Sequence, residues 1–145
     1  MTDFPYLNGV YNITPTPFHP DGSLDEASLA TLTRFNIDQG VDGMTILGVM
    51  GETSKVTDGE RDRIIAGVLA AADGNLPICV GTTHTSTWGC IEYSKRAQEL
   101  GAQAVMVAPP KLSRTNDEAI RRHYLAVAEA ITIPIVVQDH PTSSG

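Results

Sequence analysis

Five short apolar runs alternate with four longer segments of helical periodicity, and this alternation limits the folds open to the chain more than any other feature. The runs cover residues 9–13, 42–47, 77–81, 103–108 and 133–138. Each is short, nearly continuous in apolar character and bounded by Gly, Pro, Asn or Asp, which is the pattern of a buried strand. Between them, Ile64, Ile65, Val68, Leu69 and Ala72 fall on one helical stripe, and Ile120, Tyr124, Val127 and Ile131 fall on another.

Helix boundaries are written into the same segments. Ser23 with Glu26, Thr57 with Glu60 and Thr115 with Glu118 each have the spacing of a reciprocal capping box. The third helix is expected to start near Ser86 or Thr87, and Gly40, Gly74 and Gly101 stand where left-handed caps would end the first three. A faint repeat agrees, since residues 39–47 resemble 100–108, and Pro77-Ile78-Cys79-Val80 resembles Pro134-Ile135-Val136-Val137. Strand starts recur about every 30 residues, the length of a β-α-β unit. Continuously apolar strands predict a parallel sheet covered on both faces. Two architectures satisfy this: an open doubly wound sheet, or part of an eight-stranded β/α barrel. A complete barrel takes about 250 residues. The barrel reading therefore makes residues 1–145 the amino-terminal part of a single domain whose working polypeptide continues past Gly145.

Composition narrows the partners. Ten Lys and Arg against 17 Asp and Glu leave a formal net charge of -7, and no basic cluster exceeds Arg121-Arg122, so nucleic acid is not an expected partner. No run of about 18 apolar residues occurs, and residues 1–8 have neither the basic start nor the apolar core of a signal peptide. The expectation is a cytoplasmic protein away from membranes. Cys79 and Cys90 sit in apolar contexts without metal-ligand spacing and read as small buried thiols.

The chemistry concentrates at Gly48-Val49-Met50-Gly51-Glu52-Thr53, directly after the second run and just before the helix start at Thr57. Two glycines let a backbone turn sharply and leave N–H groups free to face a ligand, at the strand end where α/β proteins bind small molecules. Glu52 either accepts local backbone hydrogen bonds or contacts substrate. Val49 and Met50 read as core residues or as an apolar pocket wall. Gln138 and Asp139 close the fifth run on the same side. Lys111, after Pro109-Pro110, reads as a solvated lysine or a carboxylate binder. His84 and His140 follow strands at this end and, with Glu52 or Asp139, offer a divalent metal a place, although no metal-binding spacing is present. His123 reads as a surface residue of the fourth helix, and His19 as part of the first loop.

From Gly9 onward the chain resembles the amino-terminal half of the dihydrodipicolinate synthase / N-acetylneuraminate lyase family. The resemblance rests on Gly9-Val10 with Thr16-Pro17-Phe18, and on Asp42-Gly43 leading into Gly48-Val49-Met50-Gly51-Glu52. It continues through Thr57 with Glu60-Arg61, Ala108-Pro109-Pro110, and the stretch from Pro134 to Pro141. It implies a (β/α)8 TIM barrel, of which this chain covers about the first five strands and four helices, assembled as a homotetramer. It also implies a lyase or aldolase that needs no cofactor, because a lysine on the sixth strand, beyond residue 145, forms a Schiff base with pyruvate or a related 2-oxo acid. Backbone N–H groups after the second strand would hold the substrate carboxylate. Five residues, at three places in the chain, depart from the family pattern. Val49 and Met50 stand where the synthase has two hydroxyl residues, Gln138 where it has a tyrosine, and Pro110 and Lys111 where it has a tyrosine pair. The implied proton relay is thus altered, since an amide has no titratable proton in range. A metal-dependent aldolase on a similar barrel, and a non-catalytic or incomplete half-barrel subunit, are the competing expectations.

Overall fold

The computed structural model describes residues 6–110 and 116–139; Lys111, Thr115 and His140, singled out above, lie outside them. Each apolar run forms a strand, trimmed at its ends: β1 (Tyr11–Ile13), β2 (Gly43–Ile46), β3 (Ile78–Gly81), β4 (Ala104–Val107) and β5 (Ile135–Val137). The helices between them are α1 (Glu26–Asp38), α2 (Asp58–Ala72), α3 (Thr87–Leu100) and α4 (Asp117–Ala130), with a 3₁₀ turn at Thr53–Lys55.

Strand order decides between the two architectures. All neighbours pair in parallel, and they lie in the sheet as they follow in the chain, β1-β2-β3-β4-β5. A doubly wound sheet reverses its order at a switch point and carries helices on both faces. Here there is no reversal, and alternate strand residues separate cleanly. Met44, Ile46, Ile78, Val80, Val105 and Val107 form one core with Leu29, Ile64, Val68, Cys90, Ala97 and Val127 from the four helices. The residues between them, Cys79, Ala104 and Met106, turn to the opposite face and cluster with Leu7 and Tyr11. The cover expected on both faces is thus, among the described residues, a helical layer on one face only. That is the plan of a β/α barrel seen from its concave side.

Local signals explain most boundaries. Thr57 caps α2 as a complete capping box: its side chain accepts the Glu60 N–H, and Glu60 Oε2 accepts the Thr57 N–H at 2.9 Å. Ser86 caps α3 through the Gly89 N–H at 3.0 Å, and Gly101 ends that helix at φ 106°. The boxes expected at Ser23 and Thr115 are displaced. Asp25 caps α1 by accepting the Ser28 N–H at 2.9 Å, and Asn116 caps α4 by accepting the Ala119 N–H at 3.0 Å. Asp and Asn are at least as strong in this role as Ser and Thr, so the better acceptor nearer the apolar stripe sets the start.

Two thiols and one histidine complete the interior. Cys79 and Cys90 are buried as expected, and burial pushes the Cys79 thiol up to about 12. His123, expected at the surface, is only 2% exposed. It lies three residues after Ile120 and four before Val127, which places it on the apolar stripe of α4 rather than outside it. Its Nδ1 pairs with Thr87 Oγ1 on α3 at 2.9 Å.

Candidate active site

The carboxyl ends of β2, β3, β4 and β5 converge on a half-open cleft of about 350 Å³. Leu47, Gly48 and Val49 line it after β2, joined by Thr53 and Ser54 of the 3₁₀ turn. Gly81, Thr83, His84 and Thr85 contribute from β3, Met106, Ala108, Pro109 and Pro110 from β4, and Gln138 from β5. A pocket of this size at this end of a parallel barrel is where ligands bind.

The loop after β2 is held in a strained shape, though not by its glycines. The left-handed residues are Leu47, at φ 56°, and Glu52, at φ 52°, each costing about 1–2 kcal/mol relative to glycine in that region. Gly51 serves close approach instead, since a Cβ there would stand 2.8 Å from the Leu47 backbone nitrogen. Gly81 does the same across the sheet, where a Cβ would collide with the Leu47 carbonyl oxygen. Thr16 Oγ1 closes the loop from β1's side by donating to the Gly51 carbonyl at 2.7 Å. Among the described residues, the N–H groups of Gly48, Val49, Met50 and Gly51 meet no acceptor. A run of unpaired N–H groups in a fixed turn is a ready anion cradle.

Arg61 holds this floor from below; the sequence marked it only as part of a helix start, not as a site residue. It is 4% exposed, and its Nη1 donates to Thr53 Oγ1 at 2.5 Å while its Nη2 donates to the Gly81 carbonyl at 2.8 Å. The guanidinium lies 4.2 Å over the Tyr93 ring, whose hydroxyl donates to Asp58 Oδ1 at 2.7 Å. Burial lowers the Arg61 pKa, opposed by Tyr93, Asp58 and Asp62; an arginine remains charged there. One buried cation thereby ties the β2 loop to the end of β3. A signal existed: Arg61 sits three and four residues before Ile64 and Ile65, at the head of the apolar stripe.

Two further ties fix the far wall. Thr83 Oγ1 accepts the Ala108 N–H at 2.9 Å, linking the loops after β3 and β4. Tyr124 donates to the Val107 carbonyl at 3.1 Å, and its phenol is pushed up to about 12 by burial, with Cys90 and Asp139 adding to it.

Of the expected site residues, Val49 and Gln138 line the cleft, and so does His84. Val49 and Met50 are 65% and 60% exposed, so neither is a core residue. Met50, Gly51, Glu52 and Asp139 belong to the same loops without reaching the lining. Among the described residues the Glu52 carboxylate accepts no backbone N–H; it pairs with Lys55 Nζ at 2.6 Å on the open side of the turn. Lys111 and His140 fall outside the described residues. Among the described residues no three of His, Cys, Asp and Glu gather closely enough to hold a metal ion, and no helix is long and apolar enough to cross a membrane.

Fold and cleft together define a β/α-barrel protein with an open cleft at the carboxyl ends of its strands. Residues 6–145 match the model of the dihydrodipicolinate synthetase family, and the chain belongs to that family. It is 41% identical over 142 residues to L-2-keto-3-deoxyarabonate dehydratase of Azospirillum brasilense, covering 96% of this chain and 46% of that one. It is 36% identical over 130 residues to 4-hydroxy-tetrahydrodipicolinate synthase of Methylococcus capsulatus, covering 90% and 45%. Among solved structures, a prophage protein of the same family from E. coli K12, in complex with pyruvate, superposes with a TM-score of 0.90 at 30% identity over 95% of this chain and 46% of that one. The chain spans just under half the length of these relatives. It is the first five strands and four helices of their (β/α)8 barrel.

Proposed function

We propose that this chain supplies the carboxylate-binding half of a Schiff-base lyase acting on pyruvate or a related 2-oxo acid. The observation that carries the reading is the set of unpaired N–H groups from Gly48 to Gly51, in a loop whose Gly48 and Val49 line an apolar-walled cleft at the carboxyl end of the sheet. Those donors suit the carboxylate of a 2-oxo acid. A lysine on the sixth strand, outside the present residues, would add its amine to the neighbouring ketone and expel water. The resulting iminium draws electrons from C3, so a proton, a carbon fragment or a hydroxyl one carbon further on can leave. Carbon–carbon and carbon–oxygen lyases both fit this scheme.

Val49 and Gln138 favour a reaction other than that of the synthase. Neither side chain exchanges a proton near neutral pH, so a relay built on hydroxyls has no counterpart at these two positions. Gln138 would orient a substrate oxygen through its amide, and Val49 would exclude water beside it. Met50, Gly51, Glu52 and Asp139 would shape the loop mouths, and Lys111 remains a candidate to bind a substrate carboxylate. The dehydratase, at 41% identity against 36% for the synthase, adds a precedent for a sugar-derived 2-oxo acid. Assembly into a homotetramer, in the cytoplasm, belongs to the same proposal.

Borohydride reduction of the full-length polypeptide with pyruvate is expected to leave a stable adduct on one lysine, read by intact mass and peptide mapping. Absence of the adduct, with activity that a chelator removes and a divalent ion restores, would instead establish the metal-dependent alternative.

A further inference from the structure

His84 stands on the cleft wall with its ring held on three sides. Its Nδ1 accepts the Ser86 backbone N–H at 3.0 Å, and the ring meets Tyr93 edge-on, with centroids 5.3 Å apart at 88°. On the third side it rests directly on Gly89 in the first turn of α3, where any Cβ would strike the imidazole. An Nδ1 that accepts an N–H carries no proton, so the neutral ring holds its hydrogen on Nε2. Among the described residues Nε2 has no partner. The result is an oriented, uncommitted N–H donor among largely apolar lining residues.

We infer that His84 is a specificity-determining residue: its Nε2–H donates to a hydroxyl on the distal carbons of the substrate, selecting a polyhydroxylated 2-oxo acid over an unsubstituted one. The inference rests on the 2-oxo acid reading above. The surroundings distinguish a hydroxyl from a second carboxylate. No Lys or Arg is among the described lining residues, and Arg61 beneath them already serves Thr53 and Gly81. A desolvated carboxylate without a cation is costly, whereas a hydroxyl is satisfied by one donor and a neutral acceptor. Thr85 and Ser54, which line the same cleft, provide such neutral groups.

The test uses the full-length protein with pyruvate and with a 2-oxo-3-deoxy sugar acid. His84→Phe keeps an aromatic ring against Tyr93 and removes the donor. It is expected to lower discrimination for the hydroxylated acid over pyruvate by about tenfold, the usual worth of one such hydrogen bond. The loss should fall on KM more than on kcat. His84→Asn, which restores an N–H donor, should recover part of it, and Gly89→Ala, which displaces the ring, should reproduce it. Thermal melts establish that each variant is folded. Equal losses for both acids in His84→Phe, or no change in their ratio, overturn the inference. The two readings fail separately. If the parent protein forms no borohydride adduct, calorimetry of the sugar acid against the parent and His84→Phe still decides, and equal affinities sink the role of His84.

Discussion

Arg61 shows how a single buried cation can organise a site it does not enter. Its two donors satisfy Thr53 and Gly81, both lining residues, and its flat face lies against Tyr93. Replacing it with Met keeps most of the volume but leaves the Gly81 carbonyl without its partner, at a cost of about 1–3 kcal/mol. Arg61→Lys should not rescue this, because one ammonium cannot reproduce the two-pronged span to both acceptors. Urea denaturation of the full-length variants should therefore show Met and Lys destabilised alike, together with weaker pyruvate trapping. A lysine variant as stable as the parent would mean the fork geometry is immaterial. Sequence reading reached the loop but missed this support. Arg61 looked like an ordinary first-turn residue, and only packing shows that the stripe of α2 begins with a charge. Glu52 lies the other way round: it was singled out by the sequence, but its carboxylate pairs with Lys55 and it is not among the lining residues.

At the scale of elements, the periodic signals carried the fold well. Every strand falls within its apolar run, and every helix within its predicted segment. What the pattern could not resolve was competition between neighbouring caps, as at Asp25 and Asn116, or a polar residue on an apolar stripe, as at His123. That histidine makes the contact between α3 and α4 sensitive to acid. Burial lowers its pKa below the ordinary value near 6.5, and its Nε2 has no partner among the described residues. The folded state thus holds the neutral ring, while the unfolded chain takes up a proton first as pH falls. Stability from this group is full above about 6.5 and is lost as pH drops from there toward the lowered folded value. Thermal melts between pH 7.5 and 5.5, both about a unit from that value, should show a steeper acid loss for the parent than for His123→Gln. Parallel acid limbs in the two proteins would assign the dependence to other groups.

For the molecule as a whole, the same parallel order that builds the cleft leaves two strand edges unpaired and the concave face without a helical layer among the described residues. β1 and β5 each pair on one side only, and Val136 and Val137 of β5 are 37% and 60% exposed. In the related barrels the remaining half of the chain lies beyond this point, since these residues span only 46% of the dehydratase. An open parallel edge flanked by apolar side chains is a template for pairing with another chain. A polypeptide limited to residues 1–145 is therefore expected to self-associate, with sedimentation giving species heavier than one chain and a broad, concentration-dependent melt. Supplying the rest of a related barrel, on the same chain or as a separate fragment, should convert it to a defined species with a sharp transition. On the proposed Schiff-base reading it should also generate the pyruvate adduct, with the β2-loop donors and the lysine brought into one barrel. A cooperative monomer of residues 1–145 would show that the five-stranded sheet closes its own edges. The cleft would then be a complete site rather than half of one, and the half-barrel binding subunit would become the better account of the chain.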